Sequence, residues 1–242
     1  MVKQKLFQPM IISIKDLKKS FGKLTAVDIP ELNTKEGELL GLVGNNGAGK
    51  TTLLRLMLDL LCPDSGEILL NGVNPRKSEE WKRWTGAYLD DRFLIDYLTP
   101  EEYFEFIARV DGIGADELQA LLSGVKEFMN GEILGTGKYI RNFSAGNKQK
   151  IGIISALIGR PELLILDEPF NFLDPTGQEY LKKILTGYNK ENNATIIVSS
   201  HNLQHVAEIS SRILVMETGH IIKDINNVSS SAIDELNDYF SV

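Results

Sequence analysis

Apolar residues fall along this chain in short unbroken runs separated by longer mixed stretches. Leu39-Leu40-Gly41-Leu42-Val43, Leu163-Leu164-Ile165-Leu166 and residues 194–198 are such runs, the last rich in β-branched side chains. Strands buried on both faces of a parallel sheet read this way. Helical stretches lie between them. Thr52-Leu53-Leu54-Arg55-Leu56-Met57-Leu58 opens a helix just behind the first run, and Asp174-Pro175 starts another that continues to about Tyr188. Thr99-Pro100-Glu101-Glu102 is a helix start, with Thr99 as cap, Pro100 at the first helical position and Glu102 reaching back. Two helices follow, near 100–110 and 115–129, split by Asp111-Gly112-Ile113-Gly114. The middle of the chain therefore reads as a helical insertion into an α/β core.

The flanks are richer in turns. Ile11-Ile12-Ser13-Ile14 begins a strand, and Ser20-Phe21-Gly22-Lys23 turns the chain before 24–27. Pro63-Asp64-Ser65-Gly66 and Asn71-Gly72 bracket the strand Glu67-Ile68-Leu69-Leu70. Arg212–Glu217 and Ile221-Ile222 flank Thr218-Gly219 as a hairpin, and residues 229–240 read as a terminal helix. Internal repeats and low-complexity segments are absent from the sequence.

The polar segment behind the first apolar run carries chemistry. Gly44-Asn45-Asn46-Gly47-Ala48-Gly49-Lys50-Thr51 matches G-x-x-x-x-G-K-[ST], the P-loop pattern. Glycines let the backbone turn tightly, so that successive N–H groups point at phosphate oxygens. Lys50 reaches the outer phosphates, and the Thr51 hydroxyl is placed to ligand Mg²⁺, with Thr52 next on the helix. A strand before the loop and a helix after it place the positive helix end at the phosphates.

Asp167-Glu168 closes the second apolar run. A carboxylate at the end of a central strand beside a P-loop can hold Mg²⁺. The next carboxylate can polarise a water for attack on the γ-phosphate. That pair favours ATP hydrolysis over phosphotransfer.

Composition narrows the setting. The 242-residue chain is long enough to bury a sizeable core, and its net charge of −7 argues against a nucleic-acid-coating surface. Cys62, the single cysteine, cannot form an internal disulfide and reads as a small core residue beside Leu60-Leu61. The lysine-bearing N-terminus has no apolar segment behind it. The longest apolar run, 151–159, is closed by Lys150 and Arg160 and is too short to cross a bilayer. Any spanning must then come from another chain.

With the P-loop and Asp167-Glu168, further motifs make the chain resemble the ATP-binding cassette (ABC) family over nearly its whole length. Phe143-Ser144-Ala145-Gly146-Asn147 is similar to that family's signature motif, usually L-S-G-G-Q. Phe172-Leu173-Asp174 resembles the D-loop, and Ser199-Ser200-His201 the switch-histidine motif. Phe21 stands where the family places an aromatic against adenine, and Tyr88-Leu89-Asp90-Asp91 where it has the Q-loop, with Asp91 at the Gln position. Ser144 also suits a cap for a helix over 145–158, leaving that helix end to face an anion. His201 suits a hydrogen bond to the γ-phosphate or the attacking water, and Asp174 suits a helix cap, with His205 and His220 structural.

The resemblance implies one ABC ATPase domain over 1–242, an α/β P-loop core of mostly parallel strands with an N-terminal antiparallel β part. The core takes 1–89 and 159–242, and the helical subdomain takes 90–158. It implies binding of ATP by Phe21, the P-loop from Gly44 to Thr52, Ser144, Gly146, Asn147 and Asp174. Thr51, Asp91 and Asp167 would hold Mg²⁺; Glu168, His201 and Lys50 would carry the catalysis. It further implies a head-to-tail dimer, homo- or heterodimeric, working as the ATP-binding subunit of a transporter. The chain would then sit on the cytoplasmic face of a membrane, bound to a separate transmembrane permease subunit, with no nucleic acid expected. Segment 90–97, which mixes Phe93, Leu94, Ile95 and Tyr97 with charges, would grip a short helix of that subunit. The rival reading is an ABC ATPase acting on ribosomes or DNA. Such proteins usually carry paired cassettes or long coiled coils, and this chain has room for one cassette and no sustained heptads. Ala145, Asn147 and Asp91 depart from the family pattern and bear on turnover rate.

Overall fold

A computed structural model describes residues 10–226. The unbroken apolar runs form β3 (Leu39–Val43), β6 (Leu163–Leu166) and β7 (Thr195–Ser200), every residue of which is buried. They lie side by side with β5 (Thr85–Tyr88), β8 (Arg212–Glu217) and β9 (His220–Asn226) in a six-stranded sheet of order β5-β6-β7-β3-β8-β9. All neighbours in it are parallel except the β8–β9 hairpin.

Period-two alternation sends successive residues of these strands into two different cores. Leu164 and Leu166 face one side with Ile196 and Val198, while Leu163 and Ile165 face the other with Ile197 and Leu214. The first side is covered by helices α2 (Pro100–Asp111) through α7 (Leu203–Ala207). The second is covered by α1 (Lys50–Met57) and by a separate antiparallel sheet, in which β1 (Met10–Phe21) lies between β2 (Leu24–Lys35) and β4 (Ser65–Leu70). Pro30 is tolerated because β2 is an edge strand.

Thr99 and Glu102 complete the capping box that starts α2, as their spacing predicts. The helix expected over 115–129 is broken at Val125 into α3 (Ala115–Gly124) and α4 (Lys126–Met129), which lets Phe128 and Met129 turn into the core. α5 (Ala145–Leu157) and α6 (Pro175–Asn192) follow the expected starts, with Ser144 and Asp174 as caps. Cys62 is exposed, contrary to expectation: α1 ends at Met57, and the loop that follows also leaves Leu60 half in solvent. The helix read over 229–240 lies outside the described residues. Among the described residues no helix is long and apolar enough to cross a membrane.

Candidate active site

Three adjacent strands, β6, β7 and β3, deliver their carboxyl ends to one place. The loop Gly44–Gly49 leaves β3, Asp167-Glu168 leaves β6 and His201 leaves β7. In α/β sheets this edge is where ligands bind, because backbone groups and helix starts converge there. Gly49 (φ 106°) is required: a Cβ there would stand 2.2 Å from the Ala26 carbonyl oxygen. Its conformation aims the start of α1 back over the loop.

The charged groups at this edge are tied together. The Lys50 ammonium, 5% exposed, donates to the carbonyls of Gly44 at 2.5 Å and Asn45 at 3.3 Å, and lies 3.3 Å from Glu168 Oε1. Glu168 Oε2 meets His201 Nδ1 at 2.9 Å and accepts the His201 backbone N–H at 3.2 Å. Thr51 Oγ1 donates to Asp167 Oδ2 at 2.6 Å, and Ser199 Oγ donates to the other oxygen, Oδ1. Burial pushes the Asp167 carboxyl up, and the Ser199 and Thr51 hydroxyls work against that shift. Glu168 holds φ at +48°, a left-handed conformation that a non-glycine residue adopts at a cost of about 1–3 kcal/mol. The Ser199 hydroxyl accepts its backbone N–H at 2.9 Å and helps hold it there.

This donor set suits a nucleotide with a hard cation. Thr51 and Asp167 bring two oxygens together, as Mg²⁺ needs when phosphates and water fill its remaining positions. Among the described residues there is no group of three or more His, Cys, Asp or Glu that could hold a metal ion. The buried Lys50, held by carbonyls and Glu168, is suited to serve as a counter-charge for phosphate.

The remaining residues lie around this centre. Ser144 caps α5 by accepting the Asn147 N–H at 3.2 Å, and the Asn147 side chain turns away to Glu132 at 3.2 Å. Gly146 is held close to the Phe172 carbonyl oxygen; a Cβ would stand 2.5 Å from it. Asp174 accepts the Gly177 N–H at 2.9 Å. Phe21 is exposed, with the Lys19 ammonium 5.6 Å above its ring, so core packing does not explain it. Asp91, Asp167, Glu168 and Ala145 line one cleft of about 250 Å³, where Asp91 pairs with Lys148 at 3.6 Å. Its neighbour Asp90 is taken by Arg92 at 2.7 Å and Arg55 at 3.5 Å, and chiefly the Arg92 bond holds its carboxyl below the usual range. In segment 90–97 the apolar residues divide: Leu94 is buried, whereas Phe93 is 54% and Tyr97 64% exposed. Phe93 and Leu94 border a groove of about 270 Å³ with Leu60, Trp81 and Tyr103.

Gln149 escaped the sequence reading, and Ser199 and Phe172 entered it only as members of motifs, without the features found here. Ser199 sits within the switch-histidine motif, yet its bond to Asp167 depends on β6 and β7 being neighbours. Gln149 bridges the Tyr88 hydroxyl and the Glu168 carbonyl, with no pattern to mark it. Phe172, at φ +60° and 72% exposed, is an aromatic in a conformation that glycine prefers.

Comparison with known proteins converges on one group. Residues 27–171 match the family model described as ABC transporter. The bacitracin transport ATP-binding protein BcrA of Enterococcus faecalis is 35% identical over 221 residues, covering 89% of this chain and 69% of its own. The lantibiotic transport ATP-binding protein SrtF of Streptococcus pyogenes is 32% identical, covering 93% of this chain and 95% of its own. Among solved structures, an ATP-binding subunit of an ABC transporter superposes with a TM-score of 0.82 at 25% identity, covering 96% of this chain and all of that one. A dimeric post-hydrolysis ATP-binding cassette bound to ADP and Pi shares the fold, with a TM-score of 0.78 at 22% identity over 90% of this chain.

Proposed function

Because this chain belongs to the ABC transporter family and is an ATPase of that family, we propose that it is the motor subunit of a transporter, hydrolysing MgATP at sites shared between two subunits. The observation that carries this reading is the linked set Lys50–Glu168–His201 beside Thr51–Asp167 at one strand edge. The P-loop amides and Lys50 receive the β- and γ-phosphates, and Phe21 stacks on the base. Thr51 and Asp167 would hold Mg²⁺, with Asp91 as a further oxygen donor from the same cleft, and the ion would supply charge neutralisation at the phosphate oxygens. An attacking water gives its proton to Glu168 as its oxygen bonds the γ-phosphorus. The bond to the β-phosphate oxygen breaks, leaving ADP and phosphate. His201, anchored to Glu168 through Nδ1, offers its other ring nitrogen to the γ-phosphate or the water.

Ser144, Gly146 and Asn147 bind the ATP held by a second subunit, homologous or identical, and Asp174 contacts that subunit's P-loop. The pair closes on MgATP and reopens after hydrolysis. The groove beside Phe93 receives a helix of a transmembrane permease subunit, which keeps the chain on the cytoplasmic face of the membrane. Exposed Phe93 supplies an aromatic anchor for such a contact, and the buried Trp81 and Tyr103 form part of the groove wall. Co-purification with the membrane fraction tests this. Phe93→Ala and Tyr97→Ala should lose the membrane subunit while binding MgATP normally; full retention by both variants would refute the docking site.

A further inference from the structure

His201 is anchored by little of its own. Its ring is half exposed and its hydrogen bonds go to Glu168. Its position is therefore set by the backbone on either side, by β7 ending at Ser200 and by α7 starting two residues later behind the Asn202 cap. With five residues, α7 is too short to be stable by itself, so tertiary contacts set where it lies. Leu203 and Val206 bury its inner side against β3 and β7.

Two further contacts hold its other side. Lys182 of α6, almost fully buried, is clasped by Glu179 at 2.8 Å and by Glu208, the residue that ends α7. Burial works against the Lys182 charge, and the two carboxylates outweigh it, so its pKa is raised and it stays an ammonium. His205, within α7, lies with its ring 5.1 Å from Phe170, and among the described residues its buried Nδ1 has no hydrogen-bond partner. Burial and the nearby Lys182 lower the His205 pKa, so a neutral ring packs there. Phe170 is buried two residues beyond Glu168. Thus α7, which follows His201, is tied to α6 by an ion pair between a nearly buried Lys182 and a half-exposed Glu208, and it touches the segment that carries Glu168.

We infer that Lys182, Glu208 and His205 are positioning residues for the Glu168–His201 pair, acting on the hydrolytic step and not on nucleotide binding. This rests on the functional reading above. The nearly buried Lys182 ties α6 to the end of α7 through Glu208, so removing either partner releases that tie. A displacement of His201 by about 1 Å would cost up to about 10²-fold in rate.

The test is steady-state MgATP hydrolysis by Lys182→Met, Glu208→Gln and Lys182→Arg, together with imidazole ¹⁵N spectra. The chain has three histidines, so the His201 signals are readily assigned. Lys182→Met and Glu208→Gln should lower kcat about 10- to 100-fold with KM for MgATP little changed, and should shift the His201 ring signals; Lys182→Arg should restore both. Glu208 is at the exposed end of the pair, so Glu208→Gln carries the test if Lys182→Met fails to fold. A near-wild-type kcat in Glu208→Gln, or unmoved His201 signals, would overturn the inference. Failure of the unaltered chain to hydrolyse MgATP would remove the functional reading instead.

Discussion

The two faces this chain offers to a nucleotide are finished to different degrees. At the ends of β3, β6 and β7 the polar groups are already tied together: Lys50 to Glu168, Glu168 to His201, Asp167 to Thr51 and Ser199. At the start of α5 the opposite holds. Ser144 and Ala145 are exposed, Ser144 makes only a local cap, and Asn147 turns to Glu132. A preorganised charge network makes a catalytic centre, since the protein does not reorganise during reaction. An exposed helix start is suited to an anion brought by another subunit. Under the proposed reading, the first face supplies the chemistry of one subunit and the second completes the site of its partner.

The comparison breaks most visibly at Glu168. Glu168→Gln should lower turnover by roughly 10²–10⁴, the worth of a positioned base, and leave MgATP affinity in place. It should also trap the ATP-bound dimer, seen by gel filtration with MgATP. Wild-type turnover in this variant would remove Glu168 as base.

Gly146→Ala probes the other face and should act more gently. The added methyl would meet the Phe172 carbonyl oxygen, backbone that cannot rotate away, at a cost of about 1–3 kcal/mol of stability. Nucleotide binding at the P-loop should persist, so the expected signature is a lower melting temperature and slower turnover with unchanged affinity. Loss of MgATP binding would show that the two faces are not separable.

How legible each face was in the sequence follows from the range of its interactions. The P-loop, the strand before it and the helix after it are contiguous, so Gly44–Thr52 could be read directly. The same is true of Thr99–Glu102 and of the Ser144 and Asp174 caps, which bond three residues on. Asp167-Glu168 was legible because a charged pair ends an apolar run. The contacts that join these pieces were not. Ser199 to Asp167, Gln149 to Glu168 and Lys182 to Glu208 all depend on strand order and helix packing, which spacing along the chain does not encode. Cys62 misled for a related reason: an apolar neighbourhood in sequence became a surface loop once α1 ended at Met57.

The central claim, that one subunit supplies the chemistry and the other completes the site, is tested most directly by mixing two inactive proteins. Lys50→Ala removes the phosphate counter-charge and keeps the α5 start; Ser144→Arg does the reverse. Half of the dimers in an equal mixture would be mixed, each with one intact site of two, so about a quarter of wild-type ATPase activity should return. A mixture as inactive as its components, with an unaltered chain whose rate stays linear in protein concentration down to high dilution, would contradict the account.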